Sequence, residues 1–161
     1  MAAEHPSVDA EQLKYLYQTN FARRLDELAA GMHRRLMNKL IAKGHHGLRM
    51  SFAAVLSHLG FAETRLVDIA ERAGMSKQAI GQIADEIEAL GYIRRVPDRN
   101  DRRAKNLVFT PRGEELIACS LEALEEIQQE LIELLGAESF RQFKHTLETL
   151  SRHQADPTLP S

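Results

Sequence analysis

Four side chains gather at the start of one helical stretch: Ser76, Lys77, Gln78 and, a turn later, Gln82. Their common chemistry is hydrogen bonding. A glutamine amide pairs bidentately with adenine, a lysine ammonium reaches guanine acceptors or phosphate, and a serine hydroxyl at a helix N-terminus suits phosphate. A second set follows closely: Arg95, Arg99, Arg102, Arg103 and Lys105, around Asp101. Guanidinium groups suit phosphates and the narrow, electronegative minor groove of a duplex. An arginine cluster is usually a solvated face; its place just after the first set argues for a shared partner.

The elements that must position these residues are legible from periodicity and turn chemistry. From Glu11 to about Lys43, Phe21, Leu25, Leu28, Met32 and Leu36 recur at helical spacing, predicting one helix of about 45 Å. Gly44 or Gly47 suits its C-terminal cap. A short helix is expected over 51–58, with Phe52, Val55, Leu56 and Leu59 on one side. Thr64 offers an N-cap hydroxyl ahead of a helix over 65–73, Gly74 breaks that helix, and Ser76 caps the next, which runs to about Leu90. Two helices joined around a glycine form a helix-turn-helix unit, whose second helix enters the major groove. After Gly91 the period changes: 93–96 and 106–110 read as strands flanking an arginine-rich loop. Thr110-Pro111 then starts a helix striped by Ile117, Leu121, Leu124, Leu131 and Leu135. Gly136 interrupts it, and Phe140, Phe143, Leu147 and Leu150 mark a last helix before a loose tail over 156–161.

Charge follows the same organisation. The net formal charge is -2, which by itself argues against nucleic acid, but the average conceals a segregation. Residues 91–113 carry Arg94, Arg95, Arg99, Arg102, Arg103, Lys105 and Arg112 against Asp98 and Asp101, whereas 114–150 are dominated by glutamates. The basic part concentrates positive potential, and the acidic part keeps the chain soluble.

The stretch Ala89-Leu90-Gly91-Tyr92-Ile93-Arg94-Arg95-Val96-Pro97-Asp98-Arg99-Asn100-Asp101-Arg102-Arg103-Ala104, followed by Leu107-Val108-Phe109-Thr110-Pro111-Arg112-Gly113, resembles the wing signature of the MarR family. Met75-Ser76-Lys77-Gln78-Ala79-Ile80 resembles the start of that family's recognition helix. The resemblance covers roughly 48–113. It implies that Asp101 pairs with a nearby arginine to hold the wing tip, leaving Arg102 or Arg103 for the minor groove. It also implies a small-molecule effector, often aromatic or phenolic, bound between the dimerisation helices and the DNA-binding part. Where many relatives carry serine then arginine in the recognition helix, this chain has Gly81 then Gln82, and Glu86 stands where a basic residue is frequent.

Other chemistries find little support. No nucleophile–base pair, phosphate loop or paired-carboxylate motif stands out, so no enzyme and no cofactor are expected. His45-His46 are adjacent and the other histidines scattered, without zinc spacing. Cys119, the single cysteine, excludes an internal disulfide, suits a reducing cytoplasm, and reads as a packed, inert thiol. No apolar run is long enough for a transmembrane helix, and no secretory signal is visible.

The expectation is therefore an α+β, mainly helical chain. It comprises an N-terminal dimerisation helix (1–47), a winged helix-turn-helix (48–110), C-terminal dimerisation helices (111–155) and the tail. As a homodimer it would bind a pseudo-palindromic double-stranded DNA operator and repress transcription. Expected DNA contacts are Thr64, Ser76, Lys77, Gln78, Gln82, Arg95, Arg99, Arg102, Arg103 and Lys105, with Asp101 stabilising the wing. The alternatives are a metal- or thiol-responsive regulator of the same fold, or a protein-interaction module that has lost duplex binding.

Overall fold

The computed structural model describes residues 9–98 and 105–154. Arg99, Asp101, Arg102, Arg103 and the tail over 156–161 lie outside the described residues. Seven α-helices and three strands follow in the order α1 (Ala10–Thr19), α2 (Phe21–Ala42), α3 (Ala53–Leu56), β1 (Thr64–Arg65), α4 (Leu66–Arg72), α5 (Lys77–Ala89), β2 (Ile93–Pro97), β3 (Lys105–Phe109), α6 (Pro111–Leu135) and α7 (Ala137–Gln154). A 3₁₀ turn over Met50–Phe52 leads into α3.

The long N-terminal helix expected over 11–43 is two helices. Asn20 adopts extended backbone (φ -65°, ψ 149°), and its side chain caps α2 by accepting from the Arg23 amide at 2.8 Å. A side chain that satisfies an otherwise orphaned N–H stabilises a new helix start. At the other end of α2, Gly44 takes φ +93° and the His45 amide returns to the Leu40 carbonyl at 3.0 Å. This is the glycine-dependent stop the sequence suggests.

The core lies where α3, α4, α5, the sheet and the first turns of α6 meet. Val55, Ile69, Ile80, Ala84, Ile87 and Tyr92 have no exposed surface. The sheet order is β1-β3-β2, antiparallel throughout, with Thr64 opposite Leu107 and Arg95 opposite Leu107 on its other side. Thr64 thus corrects the sequence reading. It caps no helix; it sits in a two-residue strand, 92% buried, and its hydroxyl donates to the Ala62 carbonyl.

Helix α6 is tied to the sheet through the Tyr92 carbonyl, which accepts from the Thr110 amide at 3.0 Å. The Thr110 hydroxyl caps α6 by accepting from the Gly113 amide, and Pro111 occupies the first helical position. Gly113 lies so close to Tyr92 that a Cβ would overlap its carbonyl oxygen. Further along, α6 packs on α2 through an ion-pair ladder: Arg35 to Glu130, Lys39 to Glu126 (2.6 Å) and Glu130, and Lys43 to Glu122 (2.8 Å). The hydrogen bond from Lys39 lowers the Glu126 pKa, and the hydrogen bond to Glu122 raises that of Lys43.

The buried face of α6 is Gly113, Leu116, Ala123 and Ile127. The stripe read from the sequence lies about one residue round the helix, and its Leu121, Leu124 and Leu135 are exposed. Among the residues whose burial is described, α1 and α7 have none that is buried.

Candidate nucleic-acid interface

Helix α5 begins as its sequence demands. Ser76 has extended backbone and accepts from the Ala79 amide at 3.2 Å, so the hydroxyl works as a cap. Ile80, Ala84 and Ile87 turn one face into the core, which leaves Gln78 and Gln82 exposed on the opposite face, with Lys77 exposed at the first turn. The burial of one stripe dictates the exposure of the other, since the two alternate within a 3.6-residue period.

The hairpin follows directly. Tyr92 and Ile93 are buried, Arg94 is exposed, and β2 pairs with β3 from Ile93–Phe109 to Pro97–Lys105. Lys105 is exposed where β3 begins, next to the segment 99–104 that carries the remaining expected arginines. The base of the hairpin is fastened to β1 by Arg65, whose Nε donates to Asp98 Oδ2 at 2.8 Å; Asp98 is 93% buried. Asn106 Nδ2 donates to Glu63 Oε2 at 3.1 Å on the same edge.

Arg95 departs from its expected role. Its guanidinium pairs with Glu88 and, at 2.7 Å, with Asp85, both on α5, while its backbone amide donates to Glu88 Oε1 at 2.9 Å. Arg95 therefore locks the wing to the recognition helix rather than projecting toward a phosphate. The acidic residues of α5 are likewise engaged within the chain, with Glu86 accepting from Arg49 at 2.7 Å. Internal pairing leaves the outward charge of this helix to Lys77 near its N-terminus.

Sequence reasoning missed Arg65, Asp85, Glu88 and Asp98 as the residues that set the angle between helix and wing. Their partners are brought together only by chain reversal at Gly91 and by the β1–β3 pairing, neither of which leaves a short-range spacing signal.

A cavity of about 470 Å³ opens between α2, the Met50–Leu56 segment and α6. Leu36, Met37, Phe52, Leu56, Phe61 and Leu116 give it an apolar wall, with His33, Arg49 and Ser120 as polar members. Cys119 packs beside the core, half-buried. Among the described residues no group of three or more His, Cys, Asp or Glu side chains is placed to hold a metal ion, and no helix is long and apolar enough to cross a membrane.

Comparison with known proteins places this architecture. Residues 46–104 match the profile of the MarR family, a segment that holds the helix-turn-helix and the first hairpin strand, β2. That segment resembles the MarR family. The chain is similar to the HTH-type transcriptional regulator PrsX of Escherichia coli, 33% identical over 73 residues, which cover 44% of each chain. The match thus spans less than half the length of that relative. The transcriptional regulator Tm0710 from Thermotoga maritima is 26% identical, with 84% of this chain and 97% of that one aligned at a TM-score of 0.60. The crystal structure of the Staphylococcus aureus MepR–DNA complex aligns over 83% of this chain and 99% of that one, at 20% identity and a TM-score of 0.60. The winged helix with long flanking helices is therefore the fold of these solved regulators.

Proposed function

We infer that this chain is a MarR-family, sequence-specific regulator of transcription that binds duplex DNA as a homodimer. The observation that carries the reading is the exposed Lys77, Gln78 and Gln82 face of a capped helix fastened to a hairpin rich in arginine. The helix N-terminus and its amides suit a major groove, and Arg102 or Arg103 suits the adjacent minor groove. The internal pairing of Asp85, Glu86 and Glu88 favours this reading over a protein-interaction module, because it removes the repulsion those carboxylates would offer phosphates.

Two recognition helices on a two-fold axis require a pseudo-palindromic operator with half-sites about one helical turn, or a multiple, apart. Occupation of such a site obstructs polymerase, so repression is the sign of regulation proposed, acting in the cytoplasm. Effector binding is proposed for the apolar cavity between α2, α3 and α6, whose aromatic walls suit a phenolic or aromatic acid. A ligand there would stabilise a helix spacing that the operator does not match.

Selection of bound duplexes from a random pool tests the core of the proposal. The expected result is a two-fold-related site whose affinity falls steeply with salt and collapses in Arg102→Ala/Arg103→Ala. Indifference to every duplex at low ionic strength would overturn it. Effector binding is tested by adding aromatic carboxylic acids to the protein–operator complex: unchanged affinity across a broad series would remove the ligand from the mechanism.

A further inference from the structure

Gly81 lies in the middle of α5, where glycine is the poorest helix former after proline. Neither of the usual reasons for a glycine applies. Its φ is not positive, so the backbone does not require it. A Cβ at this position would meet nothing within 4 Å, so packing inside the chain does not require it either. By contrast, the glycine at 113 is enforced by a backbone carbonyl. The direction in which the missing side chain would point is open space, on the flank between Lys77 and Gln78 one turn earlier and next to the face that carries Gln82.

Resting on the duplex-binding reading above, we propose that Gly81 is a specificity-determining position whose absent side chain leaves a recess for the 5-methyl group of a thymine in the operator half-site. Two chemical facts point to that occupant. The amides of Gln78 and Gln82 match the N6 donor and N7 acceptor of adenine, and every A·T pair presents the thymine methyl in the same groove. A methyl group on a base beside one bonded by Gln78 needs an apolar gap of its own size, and backbone without a Cβ, one turn on and about 60° round the helix, provides it.

The test exchanges one methyl group between protein and DNA. Native protein and Gly81→Ala are titrated with the selected duplex and with a copy in which thymidines of the half-site are replaced by deoxyuridine. Gly81→Ala is expected to raise the Tm by about 2–4 °C, through helix propensity alone. It should also weaken binding to the thymidine duplex about fivefold or more, because the added Cβ overpacks the space the methyl fills. Deoxyuridine is expected to weaken native binding about fourfold, the worth of one buried methyl, and to restore binding by Gly81→Ala. This coupling is the signature of a shared space. The proposal is overturned if the two proteins bind both duplexes in the same ratio, or if Gly81→Ala lowers the Tm and so reveals an internal role. Sequence-specific native binding without the coupling removes Gly81 alone; absence of any duplex binding by native protein removes the regulator reading with it.

Discussion

The winged helix and the terminal helices are both rich in apolar residues, yet they use them differently. In α5, Ile80, Ala84 and Ile87 are sealed within the chain's own core. In α1 and α2, Leu13, Leu16, Tyr17 and Phe21 are each more than half exposed, and Leu134 at the end of α6 is 78% exposed. Leu147 and Leu150 continue the exposed series on α7. An exposed apolar surface of this extent marks a site of association. The winged helix seals its stripes within one chain, with Leu40 of α2 and Leu116 of α6 closing the core, whereas the terminal helices form the half that, in the proposed homodimer, a second copy would finish. The ion-pair ladder between α2 and α6 holds that half together in the meantime.

The sharpest way to break this comparison is at the joint between the two regions. Gly113→Ala forces a Cβ into the Tyr92 carbonyl and should cost about 3 kcal/mol or more. Urea denaturation would show this as a large drop in midpoint; an unchanged midpoint would mean that the joint has slack. Next in size, Leu147→Asp with Leu150→Asp should leave helix content intact while halving the mass measured by sedimentation. A loss of folded winged helix instead would show that the two regions are not separable. Glu88→Ala removes both the guanidinium and the amide contact of Arg95, and a loss of about 1–2 kcal/mol is expected. Glu88→Gln keeps an acceptor for the amide and should cost less.

The smallest effect is electrostatic. Lys39 depresses the Glu126 pKa below its ordinary 4.5. The stabilisation this reports is present above 4.5 and is lost as pH falls through the lowered folded value. The difference in unfolding midpoint between native protein and Glu126→Gln should therefore close in acid. A difference that persists once acid has fully protonated Glu126 would assign it to packing.

Much of the winged helix was legible because its signals are local. Ser76 caps α5, Thr110-Pro111 starts α6, and glycines with positive φ stop helices at Gly44, Gly74 and Gly91. What escaped detection depends on residues distant in sequence. Thr64 has the composition of a cap, but β3 recruits it as a strand too short to show alternation. Arg95 reads as a free cation until the turn at Gly91 folds it back onto Glu88. In α6, two apolar stripes lie about one residue apart. Periodicity reveals that both exist but not which one faces the chain's own core. Asn20 is different, because its capping chemistry was visible in type and was outweighed by the continuous stripe around it.

Helix α6 runs unbroken for 25 residues from its seat against Tyr92, about 37 Å end to end. A rigid rod clamped at one extremity amplifies: a tilt of about 5° at the Tyr92 seat sweeps the distal end through about 3 Å, comparable with the helix displacements that separate alternative quaternary states. Whatever shifts the seat by a fraction of an ångström is therefore felt in full at Leu134 and Leu135.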